Sequence, residues 1–237
     1  MDEQKQYLPT LISIVGVDGS GKTTLANWLV DELARFGREP VLVWSRFRNY
    51  LSKPLLALSR LSGHNYYKTI NDVRFGFHDF ERLYGYRELF ALLQAIDVNI
   101  AAYLRIQRVR NRSDIVICER GPWDTLVDVT ADPNLSWLPE SALGSVYSRL
   151  MKRDARVLWI SRERESILST RPELVHDHKL KPRMKEYARL ARLHSWDIVD
   201  NNGTIENAKS QIRAALGLHN QSGQVMASSG NGGAVRL

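Results

Sequence analysis

The chain carries a single cysteine, Cys118, in 237 residues. It can therefore form no internal disulfide, and no cysteine-rich metal cage is available. His176 and His178 stand two apart but lack a convincing set of further ligands. No uninterrupted apolar run approaches the length that spans a bilayer. The first ten residues contain no apolar block of the secretory kind. The Asn-Lys-x-Asp motif by which GTPases read a base is missing, and the Asp-x-x-Gly at Asp200–Gly203 falls far too late for a switch. No internal repeat is visible. Together these absences predict a soluble, cytoplasmic protein without a membrane partner.

What is present is enough for one hydrophobic core. The sequence is 43% hydrophobic, which suits a single domain or a domain with a lid. Its formal net charge is +7, with a pI near 9.6. That balance favours phosphorylated ligands, nucleic acid or an anionic surface.

The densest information lies at the start. Leu11 to Val15 is β-branched and apolar, the pattern of a buried parallel strand. It runs into Gly16-Val-Asp-Gly-Ser-Gly21-Lys22-Thr23, which fits G-x-x-x-x-G-K-[ST] at every fixed position. Such a loop aims successive N–H groups into one concavity, against the positive end of the helix that follows. Gly16, Gly19, Ser20, Gly21, Lys22, Thr23 and Thr24 are thus the expected ATP site. Lys22 can reach the terminal phosphates, and the Thr23 hydroxyl can ligate Mg2+.

A helix follows from Thr23 to Phe36, closed by Gly37, and then a strand at Pro40–Trp44. Arg46 and Arg48 emerge after that strand, at the edge where ligands collect in open parallel sheets, and can clamp an anion. Residues 51–61 read as a helix. Residues 62–85 form a polar, aromatic stretch with Arg74 and Arg82, suited to stacking a base or to anchoring a long loop. A long helix covers Leu89–Arg110, with Leu92, Leu93, Ile96, Ile100 and Leu104 expected inward. It closes in the basic cluster Arg105, Arg108, Arg110 and Arg112.

Asp114–Cys118 is a third strand, delivering Glu119 and Arg120 at its carboxyl end. A carboxylate there can hold Mg2+ or take a proton from an attacking hydroxyl, and the arginine can neutralise a phosphate. Cys118 itself reads as a small core residue. A helix at Pro139–Lys152, a strand at Ala155–Ile160, a helix at Met184–His194, a strand at Trp196–Asp200 and a helix capped by Thr204 complete the pattern. The charged segment at about 161–183 reads as a lid, in which Arg171 is a better candidate than Arg164 for stabilising transferring charge. Residues 1–9 are expected to be a flexible leader, 10–216 the domain, and 217–237 a flexible tail.

Gly-Val-Asp-Gly-Ser-Gly-Lys-Thr-Thr and Ile-Cys-Glu-Arg, in this order and context, resemble the thymidylate kinase-like group of P-loop kinases, which includes the deoxynucleoside kinases. The resemblance covers about residues 10–216. It implies a doubly wound α/β fold, a P-loop NTPase with a five-stranded parallel sheet ordered 2-3-1-4-5, flanking helices and a lid. It implies ATP and Mg2+ as cofactors, and as the small-molecule acceptor a nucleoside monophosphate such as dTMP. In that group the acid corresponding to Asp18 contacts the acceptor sugar. The acid at Glu119 serves metal or proton transfer, and the arginines at Arg120 and near Arg46 hold the acceptor phosphate. The chain also departs from the group. Asp97 and Val98 stand where a substrate arginine is usual, and Ser-Arg-Phe-Arg replaces Arg-Glu-Pro-Gly after the second strand. The alternatives are a kinase for a nucleoside, a sugar or another hydroxyl compound, a nucleic-acid-associated protein, and a non-catalytic ATP-binding protein. A homodimer is also open.

Overall fold

Why five separate apolar runs end up in one layer follows from how their residues sort. The computed structural model describes residues 8–45, 50–70, 73–78, 83–110, 113–132, 134–149 and 155–218. Its first half comprises β1 (Leu11–Val15), α1 (Lys22–Arg35), β2 (Pro40–Trp44), α2 (Lys53–Leu61), β3 (Asn65–Ile70), β4 (Val73–His78) and α3 (Tyr86–Arg110). There follow β5 (Ile115–Glu119), α4 (Pro122–Ala131), α5 (Ala142–Ser148), β6 (Ala155–Ser161), α6 (Arg164–Thr170), α7 (Leu180–Leu193), β7 (Asp197–Asp200) and α8 (Ile205–Leu216).

Strands β2, β5, β1, β6 and β7 lie side by side in that order, every pair parallel. Among the five strands of this sheet the order is 2-3-1-4-5, as expected. Alternation along each strand divides the core. Leu11, Val15, Val116, Cys118 and Val157 pack on one face with Ala91, Ala95, Val98, Leu126 and Leu190 of α3, α4 and α7. Ile12, Ile14, Ile117, Leu158 and Ile160 pack on the other with Leu25, Leu29, Leu33 and Ile212 of α1 and α8. A sheet covered on both faces needs apolar residues at every position, which explains the unbroken runs.

Helix ends obey local chemistry. Thr204 caps α8, its hydroxyl accepting the Asn207 N–H at 3.3 Å, and Gly217 leaves the helix at φ +66°. Helices α1 and α8 are tied by Arg213, which donates to Glu32 at 2.6 Å and lies over the Trp28 ring.

The structure differs from the sequence expectation in several places, among them the unexpected helix Pro122–Ala131 and the shortening of the helix expected at Pro139–Lys152 to Ala142–Ser148. Residues 65–70 and 73–78 pair as antiparallel strands, β3 with β4, matching Asn65 with His78 and Ile70 with Val73. In α3 the inward face is not the large aliphatic one. Leu92, Ile100 and Leu104 are 42%, 45% and 45% exposed, whereas Ala91, Ala95, Val98, Ala101 and Ala102 are buried. Small residues let α3 approach the sheet, α4 and α5 closely, so periodicity weighted by residue size selected the wrong stripe. Tyr86–Val109 is long and apolar enough by composition to cross a membrane, although Arg87, Glu88, Asp97, Arg105 and Arg108 interrupt it. Its Gln94 and Asp97 are nevertheless buried against protein.

Candidate functional site

Strand β1 ends in a loop that the fold grips from three sides. Gly16 takes φ +146°, and a Cβ there would lie 2.7 Å from the Ile160 carbonyl oxygen of the neighbouring strand. Gly21 precedes α1 at φ +97°, where a Cβ would run into the Asn201 side-chain amide. Both positions need glycine for shape and for space. That amide, at the end of β7, donates to Ser20 O at 2.7 Å. Arg162, just past β6, donates to Gly19 O at 3.0 Å. Ile167 and Leu174, in the segment expected to be a lid, lie over Gly19.

The first turn of α1 leaves N–H groups with no partner inside the helix, a setting that favours an anion. The Ser20 hydroxyl is buried beside them without a hydrogen-bond partner among the described residues. Lys22 is buried and donates to Val17 O at 2.5 Å. The Thr23 hydroxyl donates to Glu119 Oε1 at 2.5 Å, joining the helix start to the end of β5 across 96 positions of sequence. A hydroxyl and a carboxylate side by side are the oxygen donors that Mg2+ takes from a protein when water and phosphate complete its shell. Among the described residues no group of three or more His, Cys, Asp or Glu forms a self-sufficient metal cage.

Arg120 follows directly at φ +60°, an uncommon conformation for a residue with a side chain, and ion-pairs with Asp18. Two of the three expected acceptor-side residues are thus in contact. Behind them sits Asp124, which is buried. Its carboxylate accepts the Gly121 N–H at 3.1 Å, the Gly16 N–H at 3.4 Å and the Tyr187 hydroxyl at 2.7 Å. One side chain therefore links the β1 loop, the start of α4 and α7. Burial, with Asp124 next to it, raises the Tyr187 phenol far above its ordinary pKa. Burial also pushes the Cys118 thiol up to about 12, in keeping with a core residue.

Next to Asp18 and Arg120 lies a cavity that Asp128, Asp177, Arg183 and Tyr187 also line. Arg183 donates to both carboxylate oxygens of Asp132 at 2.8 Å and to Asp177 at 3.1 Å. Arg171 pairs with Glu173 and is half exposed, with only its aliphatic stem near Gly19. Arg46 and Arg48 lie outside the described residues, as do Arg82 and Arg112. Arg105 is turned onto the Trp44 carbonyl at 3.0 Å.

Asp97, where the resemblance would place an arginine, is buried and accepts the N–H groups of Tyr50, Leu51 and Ser52 at 2.8–3.0 Å. It also accepts the Ser52 hydroxyl at 2.7 Å, so it anchors the entry to α2.

Sequence reasoning missed Arg162, Asn201, Asp124 and Tyr187. For Arg162 and Asn201 a signal existed, since both immediately follow strands whose carboxyl ends carry the site. Asp124 and Tyr187 gave none, because their meeting depends on how α4 and α7 pack. No family model matches the chain, and no curated protein matches it. The fold itself is α/β, with a five-stranded all-parallel sheet and flanking helices, and is compatible with a P-loop NTPase-like architecture.

Proposed function

We propose that the protein is an ATP–magnesium-dependent phosphotransferase of the P-loop kind, related in plan to the thymidylate kinase-like group. The observation that carries this reading is the Thr23–Glu119 contact at 2.5 Å at the mouth of the glycine loop. Sequence motif, strand end and helix start converge there in the arrangement that nucleotide–metal binding requires.

ATP–Mg2+ supplies the phosphoryl group. The loop N–H groups of Gly19 and of Gly21 to Thr24 bind its phosphates, with Gly16 and Gly21 allowing the backbone to come close. Lys22 exchanges the Val17 carbonyl for phosphate oxygens and balances their charge. Thr23 and Glu119 hold the metal. Asp18 and Arg120 face the acceptor, and their ion pair opens to receive it. Arg162 fixes the loop through Gly19 O, and Arg171 lays its aliphatic stem against Gly19. Because transferring phosphoryl groups are loosely bonded, such positioning and charge balance supply most of the rate.

The test is calorimetric titration of ATP with and without Mg2+, followed by measurement of ADP release with acceptors present. Micromolar binding that Lys22→Ala weakens supports the reading. A chain that binds no ATP refutes it.

A further inference from the structure

Two carbonyls of the glycine loop are held by side chains from neighbouring strand ends, and the two bonds do different things. Gly19 O accepts from Arg162 at 3.0 Å, and Ser20 O accepts from the Asn201 side-chain amide at 2.7 Å. A trans peptide is planar, with its C=O and the following N–H pointing in opposite directions. Fixing a carbonyl on one side therefore aims the next residue's N–H to the other. Behind Gly19 O that group is the Ser20 N–H, already spent on Val17 O at 3.2 Å. Behind Ser20 O it is the Gly21 N–H, for which the described residues hold no acceptor. Asn201 thus aims the N–H that is left to meet an anion.

Gly21 does not keep that orientation by itself. Turning the Ser20–Gly21 peptide over changes ψ of Ser20 and φ of Gly21, and a glycine takes either sign of φ at little steric cost. Its observed φ is +97°. Asn201, by contrast, is fixed. Its own N–H donates to Ser161 O at 2.9 Å, the Asn202 side chain beside it accepts the Glu163 N–H at 2.7 Å, and the residue is only 9% exposed. A Cβ on Gly21 would run into the same amide, so the two residues are matched in shape as well as in bonding.

Resting on the phosphotransferase reading, we propose that Asn201 is a positioning residue for the phosphate donor, holding the Gly21 N–H turned into the loop before ATP arrives. Asn201 acts through Gly21 and touches no phosphate itself. The gain is one charge-assisted N–H···O bond that needs no reorientation of the backbone when the ligand binds.

The test uses the full chain and ATP–Mg2+. Calorimetric titration of the wild type comes first, and failure to bind removes the phosphotransferase reading together with this proposal. With binding established, Asn201→Ala should weaken it about ten-fold or more, the worth of one charge-assisted hydrogen bond. The titration is run where the melting curve shows the variant folded. Asn201→Asp, nearly equal in volume, puts acceptors where the donor stood and draws the Gly21 N–H outward. It should weaken binding at least as much as Asn201→Ala.

Isotope labels on serine carbonyl carbons and glycine nitrogens isolate the Ser–Gly peptides, of which Ser20–Gly21 alone lies in the loop. In the wild type, ATP should move that amide proton downfield. In Asn201→Asp it should stand downfield before ATP is added, which repulsion between a new carboxylate and phosphate would not produce. Variants that melt lower yet bind ATP within about three-fold of the wild type overturn the proposal, since the bond then only ties the turn after β7 to the loop. A milder effect of Asn201→Asp than of Asn201→Ala overturns it as well, because packing alone would rank them so. A wild-type amide that ATP leaves unmoved overturns it without any variant.

Discussion

Removing the Asp97 carboxylate should be among the most damaging single changes outside the glycine loop. Asp97 is wholly buried and accepts four hydrogen bonds, three from the backbone N–H groups of Tyr50, Leu51 and Ser52 and one from the Ser52 hydroxyl. In Asp97→Ala the four donors do not fare alike. Tyr50 and Leu51 are 50% and 48% exposed, so water can replace the carboxylate at those N–H groups. Ser52 is fully buried, so water does not readily replace the carboxylate at its N–H and hydroxyl. Losing the carboxylate at each of these two buried donors costs about 1–3 kcal/mol, which puts the loss at about 4 kcal/mol. For a domain of this size that lowers Tm by about 8–16 °C. Asp97→Asn keeps one acceptor oxygen and the side-chain volume, and should lose about half as much. Urea denaturation of the three proteins, with calorimetry for Tm, measures the series. A loss below about 1 kcal/mol for Asp97→Ala would refute the argument, since water would then be reaching Ser52.

Three further outcomes follow from the site. Lys22→Ala should leave the melting curve nearly unchanged while ATP-dependent turnover falls at least about 100-fold, as the loss of one preorganised charge at a phosphoryl centre does; a fall below ten-fold would argue against the role given to Lys22. Gly21→Ala forces a side chain into φ +97° and against the Asn201 amide. It should cost about 2–3 kcal/mol of stability and abolish ATP binding in calorimetry, the sum of left-handed strain and one displaced hydrogen bond. The third concerns pH. Burial pushes the Asp128 carboxyl up to about 6 from 3.8, with Arg183 and Arg120 pulling it down and Asp132 and Asp124 pushing it up. A carboxyl raised by folding binds its proton more tightly in the folded state, so its stabilising contribution is full at low pH. That contribution is lost as pH rises from about 4 to about 6. Asp128→Asn cannot ionise and should gain on the wild-type chain across that interval, read from urea midpoints at pH 4.5 and 7. A difference that is flat, or that moves the other way, would show that the Arg183 pairing outweighs burial.

Much of the architecture was legible because it rests on local chemistry. The apolar runs at Leu11–Val15 and Ala155–Ile160, the glycine loop, and the Thr204 and Gly217 helix ends are set by residues close together in sequence. Glu119 could be placed because strand ends in a parallel sheet share one edge. The strand pair 65–70 and 73–78 was harder, as Asn-Tyr-Tyr-Lys-Thr-Ile alternates weakly and its partner strand contains Gly76. The inward stripe of α3 was misjudged because alanine counts little in a hydrophobic pattern yet decides how close two elements come. Asp124, Tyr187, Asp128 and Arg183 belong to a level that sequence does not display, the meeting of α4 with α7 across 63 positions in the case of Asp124 and Tyr187.

The lone cysteine gives the chain a built-in clock. Cys118 is 0% exposed in the middle of the sheet, and its thiol is held in the unreactive protonated form by burial. An alkylating reagent can reach it only when β5 parts from its neighbours, an event that requires most of the domain to come undone. With no second thiol to compete, the rate of labelling counts those openings one molecule at a time. Added ATP slows that count if, and only if, it binds the closed sheet more tightly than the open chain.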